Sequence, residues 1–208
     1  MFALVNKSDN SITKSYSGST GITIGENQYP QTIFTLWSEA ERNAIDIYTI
    51  EINNSNFKNE EWYINTNITY AFDGSKVTGS YGDATAKAHA DTKWTQSEID
   101  AGKAPEGADT DTVKDEGLKT VLIRQVKSQA QNELNKTDWY VVRKAEEDIA
   151  IPSTITTHRK AVRTKQAEME TAITNASDTP ALETLYTYTE QEDGSVTRPL
   201  GELPTLED

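Results

Sequence analysis

The chain has 208 residues, enough for one large domain or two small ones, but only 35 % of them are hydrophobic and its mean hydropathy is -0.67. So polar a chain builds a thin core, or one shared with a partner. Its formal net charge of -13 repels phosphate backbones and argues against nucleic acid as a partner, and the absence of cysteine excludes disulfides, thiolate nucleophiles and Cys-ligated zinc.

Taken in chain order, the first part reads as β-rich. Phe2 to Val5 is a short apolar run, Ser8-Asp9-Asn10 is turn material, and Ile12 to Tyr16 returns as a second strand. Gly18 and Gly21 interrupt the chain before a brief strand at Ile22 and Ile24. Ser38 and Glu41 have the spacing of a capping box, which predicts a short helix before the β-favouring run Tyr48 to Ile52. Trp62 to Ile64, Ile68 to Phe72 and Val77 to Tyr81 read as further sheet, with Asp73-Gly74 as a hairpin turn. This defines a β-rich domain over residues 1–90.

Residues 91–117 read as an acidic connector. Thr95 and Glu98 can cap one helical turn before Gly102, and Ala104 to Glu116 has Val113 as almost its only apolar residue, which predicts an exposed, mobile loop. The period then changes. Leu118, Val121, Leu122, Val126, Ala130 and Leu134 recur at helical steps. Thr137-Asp138 can cap a second helix with Trp139, Val142 and Ala145 facing inward. Ile151-Pro152 breaks the pattern, and a long helix starts near Ser153 or Thr154 with apolar positions at Ile155, Val162, Met169, Ile173 and Ala176. Residues 118–177 are therefore a small antiparallel helical unit.

Residues 178–208 form a C-terminal extension, with a short helix begun by Pro180 and a hairpin around Glu192-Asp193-Gly194. The proline-bearing end is irregular, and its leucines Leu200, Leu203 and Leu206 are expected to dock on a groove. The fold class is α+β.

Charge is unevenly distributed. Lys119 to Lys165 holds ten of the 20 Lys and Arg residues against five acids, whereas Glu168 to Asp208 has ten acids and the single base Arg198. Two solvated faces account for this, and so does complementary docking within the chain or between copies.

The catalytic inventory is small. His89 and His158 are the two histidines, and each reads as a surface or helix-face residue. There is no zinc-binding histidine pair, phosphate-binding glycine loop or nucleophile elbow, and Asp109, Asp111 and Asp115 miss the EF-hand register. Glu60 and Glu61 beside Trp62 are a combination that a glycosidase uses, but adjacent carboxylates on a strand point to opposite faces. The expectation is no catalytic residue, no cofactor and no metal. The N-terminus has no signal-peptide pattern, and no run approaches the roughly 20 apolar residues of a membrane span.

One block is more specific. Lys136-Thr137-Asp138-Trp139-Tyr140-Val141-Val142-Arg143-Lys144-Ala145-Glu146, followed by Ile151-Pro152 and then Arg159 and Arg163 on a helix, resembles the C-terminal helical region of phage tail-fibre assembly proteins and tail assembly chaperones. In that family a threonine-Asp-Trp element, a turn, a proline and an arginine-bearing helix occur in that order. The opening Met1 to Asn6 with Tyr16-Ser17 is also similar to the start of that family. The whole chain, to Arg198-Pro199-Leu200-Gly201-Glu202 and Pro204 to Asp208, is similar to proteins of marine bacteriophages. Residues 20–117 depart from the family pattern and are longer.

The resemblance implies a structural protein of the tail or tail fibre, made in the bacterial host cytoplasm and located in the virion. Its expected partners are other tail or fibre proteins and further copies of itself, with no nucleic acid and no membrane. The alternative is a tail-fibre assembly chaperone that is not retained in the particle. The expected partner-binding residues are Trp139, Arg143, Arg159, Arg163, Leu200, Leu203 and Leu206. Arg143, Arg159 and Arg163 are expected along a shared basic face. Trp139 is expected as a core anchor, so that Trp139→Ala costs roughly 3–5 kcal/mol.

Overall fold

The computed structural model describes residues 1–206; Glu207 and Asp208, the end of the C-terminal extension, lie outside the described residues. The protein is α+β, with a β-rich N-terminal sheet followed by helices. It forms two compact units, Met1–Thr85 and the chain from Ala86 onward, so the residues read as a connector belong to the second unit.

In the first unit β1 (Phe2–Asn6) and β2 (Ser11–Tyr16) form the expected hairpin. A brief hairpin of β3 (Ile22–Ile24) and β4 (Asn27–Tyr29) leads to a 3-10 turn at Gln31–Phe34. The helix α1 (Glu39–Ala44) starts with the full capping box: Ser38 Oγ accepts from the Glu41 N–H and Glu41 Oε2 accepts from the Ser38 N–H. Then follow β5 (Ile47–Asn53), the two-residue β6 (Tyr63–Ile64), β7 (Thr69–Phe72) and β8 (Val77–Ser80). The main sheet has the order β2-β1-β5-β8-β7. All its pairings are antiparallel except β5 with β8, which is parallel.

The period-2 alternation of a strand gives this sheet two apolar faces. Ala3, Val5, Tyr48, Ile50, Phe72 and Val77 cluster on one side. Ile22, Ile33, Phe34 and Ile47 cluster with Phe2 and Leu4 on the other. Trp62 and Tyr63 are also buried.

The strand β9 (Thr85–Ala86) lies at the junction of the units. In the second unit β10 (Thr92–Lys93) pairs with β11 (Val113–Asp115), and between them α2 (Gln96–Asp100) starts with a second complete capping box from Thr95 and Glu98. The stretch expected as a mobile loop is exposed but organised by polar contacts. Lys114 pairs with Glu98, and Thr92 Oγ1 donates to Asp115 Oδ2 at 3.1 Å.

Asp91 then fixes the start of the main helical pair, its Oδ1 accepting from the Gly117 N–H and from Thr120 Oγ1, each at 2.7 Å. A side chain at Gly117 is impossible without movement, because a Cβ would lie 2.3 Å from the carbonyl carbon of Ala90.

The helix α3 (Leu118–Asn135) buries Leu122, Val126, Ala130 and Leu134. It packs against α5 (Ser153–Asn175), which buries Ile155, Val162, Met169 and Ile173. Lys119 Nζ donates to Thr174 O at one end and Arg159 reaches Leu134 O at the other, so the two helices are antiparallel. Between them in sequence lies α4 (Asp138–Glu147), which buries no residue.

The helix α6 (Thr179–Tyr186) is capped by Asp178, whose carboxylate accepts from the Ala181 N–H at 2.8 Å, with Pro180 in the first turn. A small hairpin of β12 (Thr189–Glu190) and β13 (Val196–Thr197) follows, and residues 198–206 form no helix or strand.

Candidate functional site

The residues that carry the sequence resemblance meet where α3 ends and α4 begins. The chain turns at Lys136 and Thr137, and Thr137 makes no side-chain capping bond. Its hydroxyl donates back to Leu134 O at 3.0 Å and accepts from Arg159 Nη1 at 2.7 Å. The same Arg159 nitrogen donates to Leu134 O and lies 2.8 Å from Asp138 Oδ1. Arg159 is thus a buried clamp from α5, joining one carbonyl in the last turn of α3 to the first turn of α4. A carboxylate in that first turn also complements the positive end of the helix dipole.

Two expectations are corrected here. Arg159 is not on a shared basic face; its guanidinium is directed inward, while Arg163, one turn on, is exposed. Trp139 is not a core anchor, since 51 % of it is exposed. Val142 and Ala145, also expected inside, face solvent as well. The physical reason is that the clamp fixes α4 at its N-terminal turn while no residue of the helix is fully buried. Among the described residues nothing covers the outer side of the helix, and its apolar residues stay exposed.

The outcome is an exposed surface rich in large side chains: Trp139, Val141, Val142 and, just beyond the helix, Ile149. Arg143 is half-buried, its guanidinium 4.7 Å from the centre of the Trp139 ring and 5.3 Å from that of Tyr140. This stack holds the indole in one place at the surface. Arg143 Nε is buried without a hydrogen-bond partner. Behind α4 lies a cleft of about 320 Å³ lined by Val141, Ile151, Thr156, Arg159, Lys160 and Arg163. Its floor is apolar and its charged residues are all basic.

The three tail leucines differ from one another. Leu200 is buried, and its N–H donates to Leu185 O at 3.0 Å. Leu203 is half-buried against Ala130, Leu134 and Val162, beside the clamp. Leu206 is exposed. Leu200 and Leu203 therefore complete the helical core of their own chain, which takes them out of the set available to another protein.

His158, read as a surface or helix-face residue, is buried on α5 and its Nε2 has no hydrogen-bond partner. Among the described residues no group of three or more His, Asp or Glu is placed to hold a metal ion, and no helix is long and apolar enough to cross a membrane.

Of the surface residues, Tyr140, Val141, Ile149, Ile151 and Lys160 were not anticipated as site residues. Only the place of Tyr140 and Val141 inside the Asp-Trp block, and of Ile151 before Pro152, signals any of them in the sequence. Compared with known proteins, the chain matches no family model, no curated protein and no solved structure.

Proposed function

We propose that this chain is a structural protein of a bacteriophage tail or tail fibre, working through the α4 surface and the cleft behind it to bind neighbouring virion proteins. The observation that carries the reading is the Asp138–Arg159 clamp with Trp139 held outside it. Thr137, Asp138 and Arg159 are the residues of the resemblance to tail-fibre assembly proteins, and they act as one unit that projects an aromatic helix face into solvent. Trp, Tyr and Arg together are the residue types in which binding energy at protein interfaces concentrates. Exposed large apolar groups on a short, otherwise polar helix favour an interaction surface over a solvated one.

A second reading, a tail-fibre assembly chaperone that leaves the finished particle, is favoured by the same resemblance, because fibre assembly proteins carry that block. The two are separated by quantitative mass spectrometry on gradient-purified particles beside infected-cell lysate. A fixed copy number relative to a known tail protein supports the virion component. Absence from particles with abundance in lysate reverses the order of the two readings.

A further inference from the structure

The α4–α5 cleft is basic in a chain of net charge -13, and among the described residues its free charges have no ion-pair partner. Arg159 is committed to Leu134, Thr137 and Asp138. Lys160 and Arg163, three residues apart on α5, are exposed, and neither has an ion pair among the described residues. Residues at that spacing are neighbours on a helix surface, so the two cations act as a pair beside the apolar floor of Val141 and Ile151.

The complementary surface is in the same unit, on the β12–β13 hairpin. Glu190 and Glu192 are exposed and have no ion pair or hydrogen bond among the described residues, whereas Asp193 is bound to Ser195. Directly across from Glu190 stands Val196, 59 % exposed, and Tyr188 beside the hairpin is 53 % exposed. The hairpin is an apolar knob flanked by carboxylates.

It is also fixed in position. Tyr188 Oη donates to Glu202 at 2.6 Å, and Arg198 lies over the rings of Tyr186 and Tyr188 while pairing with Glu202 at 2.8 Å. The tail that carries these contacts is anchored in turn by buried Leu200. Among the described residues of one copy, Lys160 and Arg163 of the cleft and Glu190 and Glu192 of the hairpin have no ion pair.

We propose that the hairpin of one copy docks in the α4–α5 cleft of a second copy, Val196 against Val141 and Ile151, and Glu190 and Glu192 against Lys160 and Arg163. The inference rests on reading the chain as one that acts through its surfaces, and it names the partner as the chain itself. Where both hairpins seat at once the contact closes as a two-fold dimer, and where one seats at a time it runs head to tail as a ring or an open filament. The high overall negative charge opposes approaches of two copies that lack such local complementarity.

The test is sedimentation velocity of the full chain over a range of concentrations at low and high salt. Concentration-dependent association at low salt is expected, weakened at least tenfold at about 1 M salt, where the screening length falls to roughly 3 Å. The charge reversals K160E with R163E, and E190K with E192K, lie at exposed positions; circular dichroism checks their folding, and glutamine at the same four positions serves as a second set. Each reversed variant is expected to be monomeric, and an equimolar mixture of the two to associate again, since each then supplies the opposite charge to the other.

A wild-type chain that stays monomeric throughout overturns the proposal. So does association that survives either reversal, or a mixture that remains monomeric. Particle composition is a separate measurement, so failure of self-docking and failure of the virion reading are distinguishable.

Discussion

Removing the Arg159 guanidinium should detach α4 from the helical pair. In Arg159→Ala the carbonyl of Leu134 and the hydroxyl of Thr137 lose a charged donor in a buried place, and Asp138 loses its ion-pair partner. Hydrogen bonds to charged groups contribute about 1.5–3 kcal/mol, and breaking a buried pair from one side costs about 3–5 kcal/mol. The upper value does not apply here, because the Asp138 side chain is 48 % exposed and water screens its share. Arg159→Ala should therefore cost about 3 kcal/mol, roughly 10 °C of melting temperature for a unit of this size. Arg159→Lys keeps one donor but loses the planar fork, and should retain about half of that. The assay is thermal denaturation followed by circular dichroism, together with hydrogen exchange of the α4 amides. Exchange reports detachment of the helix even where the two units melt separately. The Asp138→Asn variant completes a double-mutant cycle with a coupling of about 1 kcal/mol or less. A melting temperature within a degree or two of wild type, with α4 protection unchanged, would refute the clamp.

Trp139→Ala should shift stability by no more than about 1 kcal/mol, the scale of surface substitutions, so a melting temperature near wild type is expected where a core tryptophan would give a large drop. Leu200→Ala should cost about 2–4 kcal/mol while Leu206→Ala is nearly silent in the same denaturation assay, since only the first is buried. Gly117→Ala should destabilise by about 1–3 kcal/mol, because its Cβ meets the backbone of Ala90 rather than a movable side chain; an unchanged melting temperature would show that the α3 start is misplaced. Glu98 is held at a pKa of about 2, below its ordinary 4.5, first by the Lys114 ammonium and then by the Thr95 N–H and hydroxyl. Its folded-state pKa is depressed, so its contribution is complete above about 4.5 and is lost as pH falls toward 2. Carbon-detected NMR titration of the Glu98 carboxyl should give a midpoint near 2, and E98Q should abolish the acid-dependent loosening of the β10–β11 hairpin.

Signals that act over a few residues were legible. The capping boxes at Ser38 and Thr95, the Asp73-Gly74 turn and the proline at 180 each specify their own neighbourhood, and the elements beside them form as expected. The parallel pairing of β5 with β8 was not legible, because nothing in either strand names its partner across more than twenty residues. The contacts within the connector were not legible for a different reason. They run from Asp91 to Gly117 and Thr120 and from Glu98 to Lys114, and polar contacts of this kind leave no hydrophobic period. At the site, Trp139 was placed inside because a tryptophan on an amphipathic helix usually is. That inference presumes a covering layer, which α4 does not have. Arg159 and Arg163, at four-step spacing, are neighbours on α5, but the acceptors at Leu134, Thr137 and Asp138 draw the first guanidinium inward while the second faces water, and no local pattern in the sequence names those acceptors.

The clamp also bears on how the resemblance should be read. Thr137, Asp138 and Arg159 orient α4, and Leu203 packs beside them; none of these groups presents a large surface to another molecule. A sequence pattern built on such residues identifies a way of holding a helix outside its bundle. The choice of what that helix meets is left to the exposed positions: Trp139, Val142, Lys160 and Arg163 in this chain. A polar clamp suits that division, because its hydrogen bonds fix orientation without needing apolar burial beneath α4, so the outer face stays available for binding. If the surface binds a protein as proposed, substitutions should fall into two groups, with Asp138 and Arg159 governing whether the surface exists and the outer residues governing the affinity of binding.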